Sequence, residues 1–295
     1  MKKILLFLMF LANTAIMSAQ SPTFEQEFPL PAMPESFENS TEQANYMVTH
    51  YWDRVNLSTA IKNRADFEIA FQRYIFQTPM ASYNVSLQSI ENLIAAYNKD
   101  PKSLLTLAEI AEASLYSPDA IFKSDEMYLP FVNAVVANKK ISKAEKARFQ
   151  HQAALLNGCK VGAEAPDFTF VTPDGRKMKL SEITGRHIIL FVNDPDCDDC
   201  ALARVRLSAD PNINHFLEQG KLAVLSIYPD APNAEWQQAV AAYNPLWIVG
   251  ASQQIDDLYD TRSTPTIYYL NPARVILSKS MTVDQLLTAF HQIRN

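Results

Sequence analysis

The chain has 295 residues, of which 48% are hydrophobic and 20% charged, and its formal net charge is −6. That is ordinary globular composition, with length for about two domains that each bury their own core. The acidic balance argues against nucleic acid or an anionic lipid surface as a partner.

Lys2 and Lys3 precede an apolar run over residues 4–11, followed by polar Asn13 and Thr14 and the small residues Ser18 and Ala19. This is the layout of a secretory signal peptide over residues 1–19, with cleavage expected after Ala19 or Gln20. An uncleaved membrane anchor is the alternative, but residues 4–19 fall short of the ~20 a span needs. Cleavage removes two lysines and no acids, taking the formal charge from −6 to −8. No cysteine occurs before Cys159, so the chain lacks the thiol of a lipoprotein signal. The expectation is an exported, periplasmic protein whose thiols can oxidise.

Residues 20–36 carry Pro22, Pro29, Pro31 and Pro34 and read as an extended leader. Residues 37–158 then read as an all-α domain. Ser40 with Gln43 forms a capping-box pattern opening a helix through Tyr46, Met47 and Tyr51. Leu87, Ile90, Ile94 and Tyr97 form one apolar stripe. Asp100 and Pro101 cap a helix with Leu104, Ala108, Ala111 and Leu115 on one face. Pro130 is expected to kink or divide a further helix, and Ser142 with Glu145 opens a last one ending near Gly158. The aromatic residues Tyr46, Tyr51, Trp52, Phe67, Phe71, Tyr74 and Phe76 read mainly as core, with a peptide-docking groove as the alternative. All six glycines fall after residue 157, which marks the domain boundary.

From residue 159 to 295 short β-branched and aromatic runs alternate with helical segments. Strands are expected over 168–171, 188–192, 222–228, 246–249, 266–270 and 275–277. Helices are expected over 198–208, 234–243 and 253–260, and a closing helix is capped by Thr282 with Gln285. The pattern implies a layered α/β sheet. Residues 168–171 and 177–180, joined by Pro173, Asp174 and Gly175, read as a hairpin.

The strand at 188–192 leads directly into Cys197-Asp198-Asp199-Cys200. Two thiols at i, i+3 on a helix start can close a small disulfide ring, and the helix N-terminus favours the thiolate of the first. This placement reads as redox chemistry. The alternatives are half a zinc site, for which Cys159 and five scattered histidines supply poor partners, and a relic or structural disulfide. Cys159 reads either as a small buried apolar residue or as a partner in an intermolecular or regulatory disulfide.

Together these features resemble an exported thioredoxin-fold domain of the TlpA/ResA-like redoxin type. The matching residues are Gly162-Ala163-Glu164-Ala165-Pro166-Asp167-Phe168, the hairpin with Leu180 and Ser181, the strand into Cys197 and Cys200, and Thr264-Pro265-Thr266 before a strand. The helical half resembles the uncharacterised region found ahead of such domains. The resemblance implies a thioredoxin-like sandwich after an all-α domain, and a thiol–disulfide oxidoreductase acting on protein thiols and disulfides. Its electrons would come from a membrane donor protein, and it would need no cofactor or metal. Cys197 would attack, Cys200 would resolve, and Pro265 would be a cis-proline facing them, exposing the Thr264 backbone to an extended peptide. A trans proline at the start of an edge strand is the alternative.

The departures from that pattern are specific. Asp196 replaces the usual aromatic before the first cysteine. Phe191 and Ala203 occupy the two positions where such domains carry a proton-shuttling acid, leaving Asp194, Asp196, Asp198 or Asp199 as substitutes. A peroxidase is disfavoured because Asp194 stands where a peroxide-binding Thr or Ser would. A carboxylate ~6 Å from a thiolate costs about 0.7 kcal/mol in water, roughly half a pKa unit. The aspartates therefore offset the helix dipole and predict a reductant or isomerase-like dithiol. A non-catalytic binding or scaffold protein with a degenerate thioredoxin fold is the second reading.

Overall fold

The computed structural model describes residues 22–34, 37 and 39–294. The expected signal peptide over 1–19 lies outside the described residues. The chain divides into two compact units, the first reaching Phe149 and the second starting at Gln150. That division falls inside a helix, upstream of the boundary expected at Gly158.

The first unit is helical: α1 (Pro22–Glu27), α2 (Ser40–His50), α3 (Leu57–Ala60), α4 (Arg64–Ile75), α5 (Tyr83–Tyr97), α6 (Pro101–Leu115) and α7 (Asp125–Ala137), with α8 (Lys143–Gly158) crossing the division. The leader, expected to be extended, opens instead with α1. Proline is tolerated in a first helical turn, and Phe24 and Phe28 are buried. Arg73 fixes the segment by donating to the Phe28 carbonyl at 2.6 Å and to Glu25 at 3.2 Å.

Capping begins α2 one residue early, because Asn39 rather than Ser40 accepts the Glu42 amide, at 2.9 Å. Asp100 and Ser142 cap α6 and α8 as their sequences require. Helix α7 runs through Pro130 undivided. Tyr51, Trp52, Phe67 and Tyr74 pack ring to ring at 4.9–5.3 Å between centroids. Phe76, expected in the core, is 54% exposed at the end of α4, and Tyr46 is half-buried.

The second unit is a seven-stranded sheet with strands β1 (Thr169–Val171), β2 (Lys177–Lys179), β3 (His187–Val192), β4 (Leu222–Tyr228), β5 (Ile248–Ala251), β6 (Thr266–Leu270) and β7 (Ile276–Lys279). Their order is β2-β1-β5-β4-β3-β6-β7. Strands β3, β4 and β5 run parallel, while β6 lies antiparallel to β3 with Val192 opposite Thr266. Helices α9 (Asp198–Ala209), α10 (Pro211–Glu218), α11 (Ala234–Val240), α12 (Ile255–Leu258) and α13 (Val283–Arg294) complete it.

Burial on both faces explains why β3 and β4 are apolar apart from His187 and Ser226. Ile188, Leu190 and Val192 face a core with Phe168, Phe170 and Tyr268. Ile189 and Phe191 face the opposite core with Ala203 and Leu207 of α9 and Leu286 and Phe290 of α13. Strand β5 starts two residues later than its apolar run implies. The Asn244 side chain accepts the Leu246 amide at 2.9 Å, holding Leu246 in a turn.

Candidate active site

Parallel pairing of β3 with β4 brings their C-terminal ends to one edge of the sheet, and the antiparallel start of β6 reaches the same edge. Four groups of residues meet there.

The loop after β3 opens with Asn193, which is buried and donates to Ser226 Oγ at 2.7 Å and to the Phe191 carbonyl at 3.1 Å. Asp194 accepts the Asp196 amide on its side chain at 2.9 Å and the Cys197 amide on its carbonyl at 3.3 Å. This double acceptance turns the chain so that Cys197 becomes the N-cap of α9, its sulfur accepting the Cys200 amide at 3.1 Å.

Cys197 and Cys200 are joined as a disulfide, with Cα atoms 5.1 Å apart. The two sulfurs differ in access: Cys197 is partly exposed and Cys200 is fully buried. A group approaching from solvent therefore meets Cys197 before Cys200. Asp198 and Asp199, both exposed, occupy the first turn of α9, where a helix N-terminus favours negative charge.

Thr264 and Pro265 stand opposite. The peptide bond between them is cis, and the Thr264 carbonyl oxygen lies 3.9 Å from Cys197 Sγ. Thr264 is exposed beside the outer sulfur.

The acidic residues gather on this edge. The Tyr228 phenol, at the end of β4, is raised above its usual range first by burial and then by the charges of Asp194, Asp230 and Asp196. Asp194 also raises Tyr243, a smaller effect than the burial that dominates there. Phe191 and Ala203 are buried in the core between β3 and α9 and carry no titratable group.

A polar chain lies on this side of the sheet that sequence reasoning passed over. Arg204 donates to the Tyr243 hydroxyl at 3.2 Å, Tyr243 donates to Asn193 Oδ1 at 3.2 Å, and Asn193 reaches Ser226. The Arg204 guanidinium also covers the Tyr243 ring at 4.6 Å. The signal for Arg204 was present in its spacing, four residues after Cys200 and seven after Cys197. Tyr243 and Ser226 had no local signal, since only the fold brings them to Asn193.

Cys159 lies elsewhere in the second unit, fully buried among Phe168, Tyr259 and Tyr268. It is a free thiol whose Sγ donates to the Leu258 carbonyl at 3.1 Å.

Comparison with known proteins accords with this architecture. Residues 11–158 match the family model described as "Domain of unknown function (DUF5106)". The chain is similar to a thioredoxin-like protein from Bacteroides caccae, with 28% identity, 90% of this chain and 98% of that chain covered, and a TM-score of 0.78. It is also similar to the C-terminal domain of an uncharacterized protein from Bacteroides fragilis, at 33% identity over 45% of this chain and 99% of that one, with a TM-score of 0.44. The thioredoxin domain of a thiol-disulfide oxidoreductase from Bacteroides vulgatus aligns at 18% identity over 46% and 99%, with a TM-score of 0.41. No curated protein matches the chain in sequence.

Proposed function

The chain belongs to the family described as a domain of unknown function, DUF5106, and from its thioredoxin-like second unit and the Cys197–Cys200 pair that unit carries we propose that it is an exported thiol–disulfide oxidoreductase. It uses Cys197 and Cys200 on protein disulfides, with a membrane protein as electron donor and the periplasm as its compartment. Among the described residues no helix is long and apolar enough to cross a membrane. The single observation that carries the reading is the unequal access of two bonded sulfurs beside an open backbone: Cys197 partly exposed, Cys200 buried, and the Thr264 carbonyl 3.9 Å from Cys197 Sγ.

In the reducing direction the Cys197 thiolate attacks a substrate sulfur, forming a mixed disulfide and expelling one substrate thiolate. Cys200 then loses its proton to solvent, attacks Cys197 Sγ and releases the second substrate thiolate. The substrate gains two electrons and the protein dithiol is oxidised. Thr264 and Pro265 align the substrate backbone, and Asp194, Asp196, Asp198 and Asp199 weaken the outer thiolate and so favour electron donation.

A turnover assay with a model disulfide protein and a chemical reductant tests this. Cys197→Ser is expected to reduce turnover to background, and Cys200→Ser to accumulate a mixed disulfide visible on a non-reducing gel. Turnover surviving in Cys197→Ser contradicts the reading. The buried Phe191 and Ala203 favour a second reading, a binding protein with a relic disulfide, in which wild-type protein shows no turnover to lose.

A further inference from the structure

Resolution of a mixed disulfide needs the thiolate of Cys200, and this sulfur is wholly buried. Burial raises a thiol's pKa, because a charged sulfur is poorly solvated there. The positions of a proton-accepting acid hold Phe191 and Ala203, so something else must lower the cost.

Helix geometry narrows the choice. Residues four and seven apart return to the same helix face, so Arg204 lies one turn beyond Cys200 and two beyond Cys197 on the face carrying both sulfurs. Helical side chains lean toward the helix N-terminus, so the Arg204 stem leans over the turn that carries Cys200. Leu202 and Val205, on the opposite side of α9, are 60% and 62% exposed. Arg204 itself is half-buried and held from two directions by Tyr243, through the hydroxyl bond and the ring face. Tyr243 is in turn fixed through Asn193 to Ser226 of β4.

Resting on the oxidoreductase reading above, we propose that Arg204 is a positioning residue for the resolving step. Its fixed positive charge stabilises the Cys200 thiolate, replacing an acid that would accept the proton with a cation that lets the proton go to solvent. Arginine remains charged at any pH the fold survives, so it acts only electrostatically. The other charged groups around α9 are the exposed Asp196, Asp198 and Asp199, the partly exposed Asp194, and Asp230 beyond β4. On the packed helices Asp210 is paired with His291 at 2.9 Å, Asp284 with Arg206, and His215 with Gln219. The exposed Asp196, Asp198 and Asp199 are screened by salt more than the half-buried guanidinium, while Asp194, as half-buried as Arg204, is engaged by the Asp196 amide; Arg204 therefore acts at the inner sulfur and the aspartates at the outer one.

The test is a stopped-flow reaction of fully reduced protein with a chromogenic aromatic disulfide. Attack by Cys197 releases one coloured thiolate, and attack by Cys200 on the resulting mixed disulfide releases a second. In both steps a sulfur–sulfur bond forms as another breaks, and the dithiol loses two electrons to the reagent. Arg204→Gln is expected to raise the pH midpoint of the second release by about 0.5 to 1.5 units, from Coulomb interaction at one helical turn. The rate at neutral pH should fall about 2- to 6-fold, less than the thiolate fraction does, because a more basic thiolate is the better nucleophile. The first release should change less than the second, and Arg204→Lys should stay within about 2-fold of wild type. Tyr243→Phe keeps the charge and the ring face but removes the hydroxyl that holds the guanidinium, and should fall between the two, which covers the case that Arg204→Gln does not fold. A second release unaltered by Arg204→Gln, or as slow with lysine as with glutamine, overturns the proposal while leaving the oxidoreductase reading intact. Absence of any second release from wild-type protein overturns both.

Discussion

At the scale of single residues, the three cysteines occupy three environments and should behave differently. Cys197 is the accessible sulfur, Cys200 the buried one bonded to it, and Cys159 a free thiol inside a core. Burial pushes the Cys159 thiol up to about 11, only partly opposed by the charge of Lys279. Its proton is therefore held more tightly in the folded chain than in the unfolded one. The stability it contributes is complete below its ordinary value near 9 and is lost as pH rises through about 11. Native oxidised protein should show no alkylatable thiol at pH 8 and a single one after unfolding. Cys159→Ala should lose less stability than wild type between about pH 9 and 11 in denaturant titrations. Alkylation of Cys159 in the folded protein would contradict this account and reopen a regulatory role.

At the scale of elements, legibility in the sequence followed the locality of the signal. The disulfide turn was readable because a β-branched run stops, a CxxC follows, and acids occupy a helix start. The caps at Asp100, Ser142 and Thr282 were readable because the partner amides are within three residues. Helix α10 was missed although Asp210 and Pro211 repeat the signature of Asp100 and Pro101; its Asp210 accepts the amides of Asn212 and Ile213. Helix α1 was missed because four prolines suggested an extended leader, while its stability comes from Phe24, Phe28 and the distant Arg73. The chain from Arg204 to Ser226 was illegible for the same reason, since its members span residues 193–243 and meet only in the folded sheet.

A non-local effect of this kind also governs Gly250 in β5. A Cβ built there would stand 2.3 Å from Phe170 Cδ2 and 3.2 Å from its Cβ. Phe170 is fully buried in the core that β1 shares with β5, so it has little room to move. Gly250→Ala should lower unfolding stability by about 1–3 kcal/mol, read from a denaturant midpoint at unchanged slope. An unaltered midpoint would show that the β1 edge yields freely.

At the scale of the whole molecule, the sheet order, the CxxC at the end of β3 and the cis Thr264–Pro265 bond all belong to the thioredoxin-like unit. The DUF5106 match over residues 11–158 brings no chemistry with it. Function therefore concentrates on whether the Cys197–Cys200 bond opens and closes reversibly. The most direct measurement is an equilibrium redox titration of the full chain in defined thiol–disulfide buffers, with quenched alkylation and mass shift reporting each cysteine. The account predicts one reversible two-electron transition, confined to Cys197 and Cys200, at a potential more reducing than about −180 mV because of the surrounding carboxylates. A potential near about −120 mV, as in the strongest disulfide donors, would contradict the reductant character, and the lack of any transition would contradict the enzyme itself.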